Sequence, residues 1–170
     1  VYKRQVMKTV REQVERHYRV GSTRESRFVA GWSTGGYCAA NLTSKYPLDF
    51  NAGFALAGYY HPTFEGSALS KATPQLIADN SPLARVKAGN VDSRVRFLSV
   101  MSKRDRSTWG DVDNPLMLNG QVWSDGQDFW NHAHALKQYE FIVLDQGGHG
   151  TGTYVPYLGQ CLRWLGQFGL

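Results

Sequence analysis

Arg27-Phe28-Val29-Ala30-Gly31-Trp32-Ser33-Thr34-Gly35-Gly36-Tyr37-Cys38-Ala39-Ala40 is the stretch on which the reading of the chain turns. Phe28 to Ala30 is a short apolar run of the kind that forms a buried parallel strand. It runs into Gly-x-Ser-x-Gly at Gly31, Ser33 and Gly35. A helix rich in small residues follows, through Ala39, Ala40 and Leu42, and stops at Pro47. Strand, sharp turn and helix make up the setting of a nucleophile elbow. Such a turn holds Ser33 in a strained backbone conformation that lifts its hydroxyl above the sheet. The residues two before and two after it come close together, so a Cβ at either place is expected to clash. The helix start aims backbone N–H groups and a positive dipole end at a reacting carbonyl. The bland rival is a plain glycine-rich strand–helix turn. A nucleotide-binding turn fails: Ser33 holds the middle glycine position of Gly-x-Gly-x-x-Gly, and no Gly-Lys-Ser/Thr occurs.

Upstream, Val6 to about Tyr18 reads as a helix with Val6, Val10, Val14 and Tyr18 on one face. Glu12–Arg16 and Glu15–Arg19 are its expected i,i+4 ion pairs. Residues 1–5 fit no pattern and are expected to be a non-native scar. Downstream, Asn51–Gly58, Arg94–Met101 and Phe141–Leu144 read as three further strands. Between the first two of these lies an excursion, Tyr59 to Ser93, in which Ser81 caps a helix with Pro82 in its first turn. Ser102 to Trp123 is a polar loop, and Gly126 to Tyr139 a helix with Phe129, Ala133 and Leu136 inward. The last helix, from about Val155, is expected to face the core with Leu158, Leu162, Leu165 and Phe168. Strands alternating with helices predict an α/β fold of about four parallel strands flanked by helices.

The 170 residues fit one domain with a sizeable core, and 42% hydrophobic with 19% charged residues is ordinary globular composition. The net charge of +5 comes from singly scattered Arg and Lys, which argues against a nucleic-acid groove. No apolar run approaches the roughly 20 residues of a membrane span. Cys38 and Cys161 read as small buried hydrophobes on two different helices, and a disulfide between them is not expected.

Ser33, Asp105 and His149 follow the first, third and fourth of these strands. In open α/β sheets, ligands bind beyond the carboxyl ends of the strands, so all three belong to one edge. A serine nucleophile needs a base, and imidazole can take its proton near neutral pH. The imidazolium that forms needs a carboxylate to set its tautomer and stabilise its charge. The order Ser, Asp, His is that of an α/β-hydrolase. Asp111 and Asp113 on the same loop as Asp105 remain open as the acid, and the direction of Asp145 is doubtful. His149, between glycines, has a solvent-facing turn residue as its alternative reading. His132 and His134 are two apart on a helix, on different faces, and read as structural. His17 and His61 have no visible partner. Tyr59, Tyr60, Trp109, Trp123 and Trp130 could line an acyl or aromatic pocket, or equally pack in core or rim.

Gly-Trp-Ser-Thr-Gly-Gly-Tyr-Cys-Ala-Ala, then Tyr-Pro, then Ala-Leu-Ala-Gly-Tyr-Tyr, then Gly-Gly-His together resemble the esterase branch of the α/β-hydrolase superfamily. That branch holds esterase D-like enzymes, feruloyl esterases and mycolyltransferases. The likeness runs from about Val6 to Leu170 and implies the C-terminal portion of one α/β-hydrolase domain. It implies Ser33 as nucleophile, His149 as general base, Asp105 as acid and the backbone N–H of Thr34 as an oxyanion donor. The second donor comes in this family from a loop after the third strand, and no segment here matches it. The implied function is a serine carboxylic-ester hydrolase acting through an acyl-enzyme, on a small-molecule ester or acyl substrate, with no metal or organic cofactor. Acyl transfer to a sugar or lipid alcohol, as mycolyltransferases perform, is the alternative within enzymes. A catalytically dead binding module is the alternative outside them. The family likeness admits a secreted or cell-envelope location, which the residues themselves do not address. A segment lacking the upstream strands is expected to be a weak catalyst by itself.

Overall fold

The computed structural model describes residues 5–62, 72–106 and 122–169. Four strands, β1 (Phe28–Trp32), β2 (Ala52–Leu56), β3 (Phe97–Ser102) and β4 (Tyr139–Leu144), form one sheet in chain order. All three pairings are parallel. Parallel neighbours need crossovers, and helices supply them. The elbow helix (Thr34–Lys45) joins β1 to β2, helices Pro74–Asp79 and Pro82–Lys87 lie between β2 and β3, and helix Val122–Ala133 precedes β4. After β4 come a short helix (Thr151–Tyr154), a 3₁₀ turn (Val155–Tyr157) and the last helix (Leu158–Gly166). The α/β architecture read from the sequence is therefore the one observed.

Every residue of β2 and β3 is buried, because helices cover both faces there. One face carries Ala39 and Ala40 of the elbow helix with Leu83, Val86, Phe129 and Ala133. The other carries Tyr154, Cys161, Trp164 and Leu165 from the C-terminal helices. The register pairs Trp32 with Leu56, Leu56 with Val100 and Val100 with Ile142, so the strands share one carboxyl edge, beyond which β3 and β4 run on to Ser102 and Leu144. The elbow helix packs very close to β2 because its contact residues are small. A Cβ on Gly36 would come within 2.9 Å of the Gly58 Cα and 3.2 Å of the Ala55 Cβ. Ser81 caps its helix by accepting from Ala84 N–H at 3.0 Å, and Thr73 does the same for Leu76 N–H at 3.1 Å, each ahead of a proline.

Three expectations need correction. The last helix buries Cys161, Trp164 and Leu165, while Leu158 and Leu162 are exposed. Both stripes have helical spacing; the buried one carries the large indole and continues to Phe168, whose ring meets that of Trp164 at 5.0 Å. The N-terminal helix, a π turn (Gln5–Val10) running into Arg11–His17, leaves Val10, Val14 and Tyr18 exposed. Val10 and Val14 face only a shallow cleft of about 280 Å³ shared with Phe28 and Phe50. Glu15 reaches Arg27 at 2.7 Å rather than Arg19, and Arg11 reaches Asp49 at 3.0 Å, so the helix is tied to the body by ion pairs. Cys38 is exposed on the elbow helix, whereas Cys161 is buried on the opposite side of the sheet, and both are free thiols.

Candidate active site

Ser33 joins β1 to the elbow helix with φ 58° and ψ −121°, a conformation that L-residues rarely hold. Its N–H donates to Leu56 O at 2.9 Å, which fixes the turn against the end of β2. Ala57, also at positive φ (51°), donates from its N–H to Val100 O at 3.0 Å. Two strained residues thus sit side by side at the carboxyl edge of the sheet. The glycine argument holds for one position only. A Cβ on Gly31 would stand 2.2 Å from the backbone C and O of Gly35, whereas a Cβ on Gly35 would meet nothing within 4 Å. The crowding is one-sided, because the space Gly35 faces is open.

His149 lies in the turn after β4, two strands and more from Ser33. Three strand spacings amount to about 14 Å, yet His149 Nε2 is 3.0 Å from Ser33 Oγ. The turn therefore leans back over β3 and β2. Several contacts hold it there. Trp32 Nε1–H donates to His149 O at 3.2 Å, with the indole 4.9 Å from the imidazole. Ser102 Oγ, fully buried at the end of β3, lies 2.6 Å from Gly147 O and 3.0 Å from Gln146 O. The same oxygen accepts from Arg104 N–H at 3.1 Å, so one hydroxyl links the Asp105 turn to the His149 turn.

Asp105 is fully buried, and its Oδ2 is 2.9 Å from His149 Nδ1. A carboxylate only accepts, so Nδ1 carries the proton and Nε2 is left to accept from the Ser33 hydroxyl. Tyr154 donates its O–H to the same Oδ2 at 3.0 Å. Burial, and after it the charge of Asp105, holds the Tyr154 phenol well above its ordinary pKa. Asp145 points away, paired with Lys103 at 2.6 Å and largely exposed. Asp111, Asp113 and Trp109 lie outside the described residues, as does the Trp123 side chain. Thr34 is the first residue of the elbow helix, where N–H groups have no intrahelical partner. Tyr59 O–H donates to Thr34 Oγ1 at 3.3 Å and stacks on Tyr37 with centroids 5.0 Å apart.

The other candidates separate from this cluster. Tyr60 is core, stacked on Phe129 at 3.9 Å, and Trp130 lies beside His134 at 5.8 Å. His132 and His134 are exposed and bond to carbonyls of their own helix. His17 bonds to Gln13 O in the same way. His61 has a partner that the sequence did not reveal. Its Nδ1 bonds to Asp125, whose other oxygen accepts from Tyr60 N–H, and both side chains are buried. The two lie 64 residues apart, so no local pattern could link them. Trp32, Ser102 and Tyr154 were missed for the same reason. Among the described residues, no group of three or more His, Cys, Asp or Glu could hold a metal ion, and no helix is long and apolar enough to cross a membrane.

Residues 1–155 match the Putative esterase family. The chain belongs to that family. No curated protein sequence matches it. Among solved structures, this esterase-family chain is similar to a ferulic acid esterase (21% identity, TM-score 0.74), covering 98% of itself and 61% of that protein. It is similar to an S-formylglutathione hydrolase from Agrobacterium tumefaciens (18%, TM-score 0.76), covering 98% of itself and 57% of that chain. An enterochelin esterase from Shigella flexneri matches at 21% identity and TM-score 0.65, covering 94% of this chain and 35% of the other. The chain thus spans about three fifths of the length of the first two. At these identities the likeness is one of fold.

Proposed function

We propose that this chain carries the catalytic residues of a carboxylic-ester hydrolase that works through an acyl-Ser33 intermediate. Membership in the Putative esterase family supports ester hydrolysis. The observation that carries the finer reading is the unbroken line from Ser33 Oγ to His149 Nε2 at 3.0 Å and from His149 Nδ1 to Asp105 Oδ2 at 2.9 Å.

In this reading Ser33 Oγ attacks the ester carbonyl carbon as its proton passes to His149 Nε2. Buried Asp105 stabilises the imidazolium. The oxyanion meets the Thr34 N–H at the positive end of the elbow helix. The intermediate collapses, the C–O bond to the alcohol breaks, and the alkoxide leaves with the proton from His149. Water then attacks the acyl carbon, giving its proton to His149. Collapse of the second intermediate releases the acid and returns that proton to Ser33. A small-molecule ester is the substrate class, and no step calls on a metal or an organic cofactor.

The test is covalent labelling of the chain with a fluorophosphonate, with the site found by peptide mass. Stoichiometric labelling at Ser33, absent in Ser33→Ala, supports the reading. Failure to label, or equal labelling of the Ala variant, overturns it.

A further inference from the structure

We infer that Tyr154 is the positioning residue for Asp105, holding the carboxylate oxygen that orients His149. The inference rests on the triad reading above and extends it by one residue. Tyr154 O–H and His149 Nδ1–H converge on a single oxygen, Asp105 Oδ2, at 3.0 and 2.9 Å. Both donors come from one short piece of chain. The turn after β4 supplies His149, and the helix Thr151–Tyr154 begins two residues later and ends on the tyrosine. Asp105 is fully buried and Tyr154 nearly so. A buried carboxylate depends on its donors both for its charge and for its orientation. The Tyr154 phenol is pushed above its usual pKa by burial, so it keeps its proton and donates it to the carboxylate.

Geometry also separates this role from packing alone. The Tyr154 ring lies in the cluster of Leu56, Val100, Leu144 and Trp164 beneath the sheet, a setting that a phenylalanine would fill equally well. The hydroxyl adds the bond to Asp105 and a contact with the Ser102 backbone at the end of β3, where the Asp105 turn begins. It therefore acts on catalysis through the carboxylate, without touching substrate.

The experiment compares the full chain with Tyr154→Phe, Asp105→Asn and the double variant. One readout is the rate of fluorophosphonate labelling of Ser33 against pH. The other is the titration midpoint of the His149 imidazole by NMR. His149 meets Asp105 through Nδ1 and Ser33 through Nε2; the exposed Lys103–Asp145 pair on the neighbouring turns is common to every variant. With one donor removed, the carboxylate holds the imidazolium more tightly. The His149 midpoint should rise, the acid limb of labelling should move to higher pH, and labelling near neutrality should slow by about 10- to 100-fold, the worth of one hydrogen bond to a charged group. With Asn at 105, adding Tyr154→Phe should leave the midpoint where Asp105→Asn put it. An unchanged midpoint and rate in Tyr154→Phe, or an equal shift in the Asn background, overturns the inference. If wild type does not label, the triad reading falls, and the His149 midpoint still decides whether Tyr154 acts through Asp105. Tyr154→Met, also without the donor, is read in the same way should Phe loosen the short helix.

Discussion

Trp32 and His149 lie 117 residues apart, yet the indole N–H of one donates to the backbone carbonyl of the other at 3.2 Å. The rings also meet at 4.9 Å. Trp32 is the residue before the elbow serine, so the element that carries Ser33 also grips the histidine turn. That turn contains Gly147 at φ 91°, with Gly148 and Gly150 flanking the histidine, and has little stiffness of its own.

Replacing the indole should therefore loosen the base. Trp32→Phe keeps a ring and loses a bond worth about 1 kcal/mol, so Ser33 labelling should slow about fivefold. Trp32→Ala loses the ring contact as well and should slow it several times further. Because Trp32 is partly exposed, melting temperature should move little. Equal labelling rates in all three proteins would show that the turn is held without the indole.

Asp105→Asn should keep the fold, since the amide fits the same volume, but should mis-set the His149 tautomer. By analogy with serine proteases the loss is about 10⁴-fold in turnover. Asp145→Asn removes only an exposed pair with Lys103 and should change turnover less than about twofold. Steady-state hydrolysis of an activated acetate ester compares the two. A small effect at Asp105 would move the acid elsewhere.

The elbow glycines should respond unequally. Gly31→Ala forces a Cβ to 2.2 Å from the Gly35 backbone and should destabilise by about 3 kcal/mol, the upper range of overpacking. Gly35→Ala points into open space within a helix and should be neutral or stabilise by up to about 1 kcal/mol. Urea melts of both variants check this. A marked loss at Gly35 would mean that the turn is tighter than its Cβ contacts indicate.

Tyr37, Tyr60, Tyr139 and Tyr154 all have phenol pKa values raised above 10, in each case chiefly by burial. A folded pKa above the unfolded value gives stability that is full below pH 10 and declines as pH rises beyond it. These four should stay protonated until the fold opens, later than an ordinary exposed phenol, which ionises at about pH 10. A spectrophotometric titration should show tyrosinate appearing in two stages, the second together with loss of circular dichroism. One smooth titration with the fold intact would contradict the burial of these rings.

The sheet was legible because β2 and β3 are short apolar runs, and the elbow because Gly31, two residues before Ser33, records a backbone constraint. The order of Ser33, Asp105 and His149 along the chain suggested a common edge for the same reason: each follows a strand. Contacts between distant residues left no such trace. Nothing in the sequence around Tyr154 marks it, and His61 has no partner nearby in sequence because Asp125 is 64 residues away. Helix faces misled where two stripes had equal spacing. Leu158 and Leu162 match a core pattern as well as Cys161 and Trp164 do, and only the volume of the indole favours the second set.

Ser33 is borne by β1 and His149 by the turn after β4, the two outermost strands of the described sheet. Their 3.0 Å contact acts as a caliper across the whole width of that sheet. Outer strands open at lower free energy than central ones. A small parting at either margin would separate nucleophile from base while β2 and β3 remain intact. On warming, reactivity at Ser33 should fade before bulk helical and strand content does, making catalysis the first casualty of a loosening that spectroscopy barely registers.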